Sequence, residues 1–187
     1  TLHRLDHFET EPEYVEPLAA SLREAVDDGA HILFSYHGLP LSHVRRSDPT
    51  RSHGQKVDNC CATACSANAM CYAHHCHMTT TAVVEALGLP DDRWSLSYQS
   101  RLGPVKWLTP ASTSAVVDLA KRGVTNVAVV APAFVVDGLE TLEELEIELR
   151  ETFMEAGGKA FRVVPCLNDE PTWVDGVHSH IERAFAA

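Results

Sequence analysis

Four short apolar runs, each followed by a stretch of helical spacing, constrain this chain more than any other feature. The runs are Ile32-Leu33-Phe34-Ser35-Tyr36, Trp94-Ser95-Leu96-Ser97-Tyr98, Val127-Ala128-Val129-Val130 and Phe161-Arg162-Val163-Val164. They are nearly continuous in apolar character rather than alternating, which suits strands covered on both faces of a parallel sheet. Helical spacing recurs around them. Leu18, Leu22 and Val26 mark a helix over Glu13 to Asp27, and Ser112 to Lys121 follows with Ser112 or Thr113 as N-cap and Gly123 as stop. Glu140 to Ala156 is a third helix, ended by Gly157-Gly158, and Thr172 to Phe185 a fourth. The alternation predicts an α/β fold, a doubly wound, Rossmann-like and mainly parallel sheet with helices on both faces. No internal repeat or low-complexity linker divides the chain, so residues 1–187 read as one domain.

Charge and composition then remove whole classes of function. Fifteen Lys and Arg against 26 Asp and Glu give a formal net charge of -11, the wrong sign for a nucleic-acid partner. No apolar run approaches the roughly 18 residues of a bilayer-spanning helix, so no transmembrane segment is expected. The start Thr1-Leu2-His3-Arg4 has neither a Met nor a basic-then-apolar signal, and predicts a piece or processed form of something longer. Of six cysteines, five fall between Cys60 and Cys76. Such crowding points to a metal or cluster in a reducing compartment, hence a cytoplasmic location, rather than to a disulfide framework.

In doubly wound folds, ligands sit outside the carboxyl ends of the strands. Three polar clusters fall there: Tyr36-His37-Gly38-Leu39-Pro40, Tyr98-Gln99-Ser100-Arg101-Leu102-Gly103-Pro104, and Phe134-Val135-Val136-Asp137-Gly138-Leu139-Glu140. A His and a carboxylate from neighbouring tips can face each other across one crevice. Glu140, Glu144 and Glu148 lie at i, i+4 and i+8, along one helix face, where they form a carboxylate ladder into the cleft. The plainer reading is that acids near a helix N-terminus complement its dipole, which accounts for Glu140, Glu143 and Glu144 but not for Glu148. For His37 the plainer reading is a hydrogen-bonded structural histidine.

These stretches, with Trp107-Leu108, Asp137-Gly138-Leu139-Glu140-Thr141-Leu142-Glu143-Glu144 and Pro165-Cys166-Leu167-Asn168-Asp169, resemble ferrochelatase. The motifs occur in the family's order and cover nearly the whole chain, but they resemble only the C-terminal half of that enzyme. The resemblance implies insertion of Fe(II), as substrate, into a porphyrin, either protoporphyrin IX or coproporphyrin III, in haem biosynthesis. It implies His37 and Glu140 as the pair that handles pyrrole protons and metal, and Glu144, Glu148 and Asp137 as an acidic path. Tyr36, Gln99, Ser100, Arg101 and Trp107 are the implied substrate contacts. The chemistry is consistent, because a porphyrin loses two N–H protons as it takes up the metal and needs a base working near neutral pH. An N-terminal ferrochelatase domain, or a second copy of this chain, is the implied partner that completes the cleft. Two other functions remain open: a non-catalytic, cluster-carrying porphyrin or iron-binding module, and a tetrapyrrole chelatase for another divalent metal.

Departures from the family pattern are local. Gly138 stands where many relatives carry His or Cys, and Thr50 where a Tyr usually follows Asp48-Pro49. The largest departure is an irregular Cys-rich insertion at about residues 49–78, with Cys60, Cys61, Cys65, Cys71 and Cys76 and with His53, His74, His75 and His77 nearby. No C-x2-C knuckle is present; instead two C-x4-C pairs, Cys60 with Cys65 and Cys71 with Cys76, stand five residues apart. Four thiolates in a compact loop suit a [2Fe-2S] cluster, with zinc or unligated thiols as alternatives. The chain resembles ferrochelatases with an internal cluster segment, which makes Cys60, Cys65, Cys71 and Cys76 the expected ligands. Cys61 replaces Cys60 if the spare thiol is the other one of the adjacent pair. Cys166 reads as a small buried residue.

Overall fold

The computed structural model describes residues 7–53, 56 and 59–186; the start Thr1 to Arg4 and, within the Cys-rich stretch, Gly54, Gln55, Val57 and Asp58 lie outside them. Helix α1 (Pro12–Asp27) leads into β1 (His31–His37), which is followed by the short α2 (Leu41–Arg46) and by α3 (Tyr72–Leu87). Strand β2 (Trp94–Gln99), α4 (Ser112–Lys121) and β3 (Asn126–Val130) come next. A π-helical segment (Glu140–Leu149) runs into α5 (Arg150–Glu155), and β4 (Ala160–Val163) and α6 (Pro171–Ala186) complete the chain.

The four strands form one parallel sheet in the order β2-β1-β3-β4. Chain order reverses across β1: it moves outward to β2, then crosses back to β3 on the other side. The crevice at such a reversal, outside the strand carboxyl ends, is the ligand position of doubly wound sheets. Register places His37 beside Gln99 and Phe34 beside Val130, so the tips of β1 and β2 end level.

Alternation along the strands divides the core in two. Ile32, Phe34 and Tyr36 face a layer built from α1, α3 and α6, where Leu18, Leu22, Val83 and Trp173 pack. Leu33, Val127 and Val129 face α4 and the Glu140–Glu155 helix through Val116, Leu119, Leu145, Leu149 and Phe153. Residues of β1 from 31 to 36 are all buried, as the unbroken apolar run requires of a strand covered on both sides. Helix α3 stops at Gly88, whose φ of 63° lets Leu89 N–H reach back to the Val84 carbonyl at 3.1 Å and close the last turn.

Two expectations are altered. Helical order begins at Tyr72, inside the stretch read as irregular to residue 78, so His74, His75, Cys76 and His77 stand on the first turns of α3. The helix expected over 140–156 is wound as π over its first ten residues and as α only from Arg150. A repeat of four governs that π segment, with Thr141, Leu145 and Leu149 all buried. In an ordinary α-helix each step of four advances a side chain by about 40° around the axis, and looser winding changes which residues share a face.

Candidate active site

The tip of β1 is held at close quarters. Gly38 N–H donates to the Gln99 carbonyl at 2.8 Å, and a Cβ on Gly38 would lie 2.7 Å from that oxygen and 3.3 Å from the Trp107 ring. Only glycine fits there without displacing backbone. His37, half-buried, donates from Nδ1 to the Gly38 carbonyl at 2.7 Å. Since a carbonyl can only accept, that bond leaves Nε2 of the neutral ring as a free proton acceptor. The ring lies 6.2 Å, centroid to centroid, from Phe134, and Tyr72 donates its hydroxyl to the His37 carbonyl at 2.8 Å.

The acidic π segment is tied to the tip of β2. Ser100, at φ 61°, donates its backbone N–H to Glu144 Oε1 and its hydroxyl to Glu144 Oε2, both at 2.5 Å. Gln99, almost fully buried, accepts from Ser35 at 2.9 Å and donates through Nε2 to the Glu140 carbonyl at 3.1 Å. These bonds fix the start of the π segment against the sheet, so that its glutamates look into the space beyond the strand tips.

That space is an open cavity of about 670 Å³ lined by His37, Ser100, Arg101, Leu102, Leu139, Glu140, Glu143, Glu144 and Glu148. Of the expected residues the structure therefore brings His37, Glu140, Glu144, Glu148, Ser100 and Arg101 to one cavity. A second recess of about 250 Å³ shares Ser100, Arg101, Glu144 and Glu148 and extends toward Gln99 and Ser112. Four carboxylates beside one guanidinium and one imidazole make a negative cavity that attracts divalent cations and can accept protons. The exposed Leu102 and Leu139 give its rim an apolar character.

Other expected residues are placed differently. Tyr36 is 2% exposed, with its hydroxyl 2.8 Å from that of Thr80, and burial holds its phenol pKa well above the ordinary value. It shares the face of Ile32 and Phe34, as strand alternation requires, and does not line the cavity. Trp107 stacks beside Gly38 and donates to the Leu102 carbonyl at 3.0 Å, shaping the strand tip from outside the lining. Asp137 accepts from Asn168 Nδ2 at 2.7 Å and from the Thr141 hydroxyl at 3.0 Å. Burial pushes its pKa up, but the hydrogen bonds from Asn168, Thr141 and Cys166 outweigh it and hold the carboxyl below its usual range. Asp137 thus joins the loop after β3 to the Asn168 turn and stands outside the cavity lining. Glu143, read from sequence only as a dipole partner, does line the cavity, and Leu102 and Leu139 were not singled out; the spacing of three from Glu140 was the available signal for Glu143.

The cysteines divide by burial. Cys61, Cys71 and Cys76 are buried, Cys60 is half-buried with its sulfur 3.8 Å from that of Cys61, and Cys65 is exposed with its sulfur 3.8 Å from His53 Nε2. Burial raises the Cys76 thiol pKa strongly, and the nearby Cys61 and Cys71 add to the rise. Among the described residues no three cysteine sulfurs lie within 4.8 Å of one another. The donor chemistry, rich in thiols, is nonetheless of the soft kind that suits a thiolate-bound group. Cys166 is half-buried, and burial, followed by the neighbouring Asp137, pushes its thiol up to about 12.

Comparison with known proteins bears on the family. A family model described as Ferrochelatase matches residues 1–185. The chain is similar to proteins named Ferrochelatase from Pseudomonas fluorescens (strain Pf0-1), 44% identical over 96% of this chain and 53% of the relative, and from Pseudomonas entomophila (strain L48), 43% identical over 96% and 54%. A third, from Ectopseudomonas mendocina (strain ymp), is 43% identical over 96% of this chain and 53% of its own length. The chain thus spans about half the length of these curated relatives. With its motifs, parallel sheet and strand-tip cavity, the chain belongs to the ferrochelatase family.

Proposed function

We propose that this chain forms one wall of the catalytic cleft of a ferrochelatase, which inserts Fe(II) into a porphyrin in haem biosynthesis. The observation that carries this reading is the meeting of His37 with Glu140, Glu143, Glu144 and Glu148 around one cavity at the strand tips. The overall step is Fe²⁺ plus the free-base porphyrin giving the metalloporphyrin and two protons. His37 Nε2, left free by the Nδ1 bond to Gly38, accepts a pyrrole proton. Glu140, at the mouth of the π segment, serves as its carboxylate partner in binding metal and receiving protons, and Glu144 and Glu148 carry protons onward to solvent. Leu102 and Leu139 offer apolar contact to a flat macrocycle, while Ser100, Arg101 and Gln99 position the cleft wall. Tyr36 and Trp107 support the strand tip from behind. Protoporphyrin IX and coproporphyrin III are both compatible with these contacts.

An N-terminal ferrochelatase domain or a second copy of this chain supplies the opposite wall, and the reading places the enzyme in the cytoplasm. The Cys-rich segment holds a [2Fe-2S] cluster through four thiolates drawn from Cys60, Cys65, Cys71 and Cys76, with Cys61 as the alternative to Cys60. The burial of Cys61 beside Cys71 and Cys76, and the exposure of Cys65, favour admitting Cys61 to the set. When bound, the cluster supplies a one-electron redox centre.

The test is anaerobic insertion of iron or zinc into a porphyrin by the chain alone and again with an N-terminal ferrochelatase domain added. Turnover in either arrangement supports the reading, and identifies self-pairing or the second domain as the missing wall. Inactivity in both, with folded protein, sinks it in favour of a binding module. The cluster predicts about two irons and two sulfides per chain, with charge-transfer absorption between roughly 300 and 600 nm. A colourless zinc protein rules the cluster out.

A further inference from the structure

A second group of metal-ligating side chains lies away from the strand-tip cavity, where the segment ahead of α1 meets the first turn of α3. His7 Nδ1 is 3.4 Å from Glu9 Oε1, and His75 Nδ1 is 3.8 Å from the same oxygen. The three donor atoms all lie within 4.8 Å of one another. Ligands about 2.0–2.2 Å from a tetrahedral cation stand roughly 3.3–3.6 Å apart, so little movement would close this trio on an ion.

The hydrogen bonding of His75 makes the arrangement specific. Its Nε2 lies 2.9 Å from the Ala69 carbonyl, which can only accept, so the proton of the neutral ring sits on Nε2. Nδ1 then presents a lone pair toward a carboxylate oxygen that is itself an acceptor. Two acceptors face each other, and something positive belongs between them. A backbone carbonyl holding the far nitrogen is also the usual way a ligating imidazole is oriented. The His7 ring completes the trio, edge-on to His75 with centroids 5.0 Å apart.

From this geometry we infer that His7, Glu9 and His75 bind a first-row divalent transition cation, of the class of Zn(II) or Fe(II). Two imidazoles and one carboxylate are borderline donors that take such ions in preference to magnesium or calcium. The three side chains are partly exposed, so the ion enters from solvent and the remaining positions are open to water. Binding clamps the segment ahead of α1 to α3, one residue from Cys76. The inference does not rest on chelatase activity, because none of the three residues lines the strand-tip cavity.

The experiment is anaerobic titration of the reduced 187-residue chain with Co(II) alone, followed by calorimetry and visible absorption. One equivalent should show d–d bands of nitrogen and oxygen ligation without the sulfur-to-cobalt charge transfer that cysteines produce. Glu9→Gln and His75→Ala should each weaken that equivalent by at least about 10-fold, the loss that even an outer partner of a ligand produces. His7→Ala, at an exposed position, gives the same loss with no change in packing and carries the test should His75→Ala unfold. Undiminished binding in these variants, absence of that equivalent in the wild type, or sulfur charge transfer from it would each overturn the assignment.

Discussion

The strand-tip cavity and the Cys-rich segment are both dense in chemistry-bearing residues, yet they are organised in opposite ways. Around the cavity, key groups are placed by a regular element and by a bond to a neighbour: His37 by the end of β1, Glu144 by two bonds from Ser100, and the Glu140 backbone by Gln99. In the Cys-rich segment, Cys60 and Cys61 sit on a turn, Cys65 lies in irregular chain, and only Cys76 stands inside a helix. Asn68 is the main local organiser there, donating to the Cys60 and Thr63 carbonyls at 2.9 Å each. A site built by the fold is preorganised before any ligand arrives, which is what catalysis at a cleft needs. A site built from turns gains its final geometry from what it binds.

The sharpest way to break this comparison is at His37. His37→Ala should lower metal insertion by roughly 10²–10⁴-fold, the usual contribution of a positioned base, and leave the circular dichroism spectrum unchanged. Turnover at the wild-type rate would remove His37 from the mechanism.

Stability of the sheet that carries the cavity should depend on pH through His31. Burial, with Arg122 adding repulsion, lowers its pKa from the usual value to about 4. Because the folded-state value lies below the unfolded one, the unfolded chain binds the extra proton more readily between about pH 6.5 and 4. Stability is therefore fully present above about 6.5 and falls toward pH 4 by on the order of 3 kcal/mol, then levels off. Urea unfolding at several pH values checks this, with His31→Gln as the control expected to flatten the slope; an equal slope in both would assign the effect elsewhere.

A smaller effect is expected at the strand tip. Gly38→Ala places a methyl 2.7 Å from the Gln99 carbonyl and should cost about 1–3 kcal/mol, as overpacking does, while reducing turnover because His37 moves with it. A variant as stable and active as the parent would show the tip to be more yielding than its hydrogen bonds imply.

The smallest effect belongs to the other region. Without any bound group, Cys65→Ser should change stability by less than about 0.5 kcal/mol because the side chain is exposed, whereas Cys76→Ser replaces a buried sulfur hydrogen-bonded to the Tyr72 hydroxyl and should cost about 0.5–1.5 kcal/mol. Equal costs at the two positions would mean that the turn segment packs as firmly as the cavity wall.

Much of this organisation was legible in the residues. The unbroken run around Phe34 indicated a strand covered on both faces, and the glutamates at 140, 144 and 148 were recognisable as one face of a helix. The direction of Tyr36 was less accessible, since a large polar aromatic beside His37 suits both a cleft and a core, and only alternation from Ile32 and Phe34 assigns it to the core. Asp137 looked like part of the acidic path, but Asn168, thirty-one residues on, claims its carboxylate. Nothing in the local spacing distinguishes π from α winding over 140–149.

What the sequence determined by itself is therefore periodic or compositional. The strands, the helices that cover them, the polar strand tips, the crowding of thiols and the family motifs all follow from short-range pattern, because hydrophobic spacing and backbone preference act over a few residues. What only the tertiary structure decided is convergence. Ser100 clamping Glu144, Gln99 holding the Glu140 backbone, and His7, Glu9 and His75 meeting at one carboxylate oxygen all join residues from different elements. Such contacts depend on the order β2-β1-β3-β4 and on how helices pack across it, a choice made by burial of the whole core rather than by any stretch of chain.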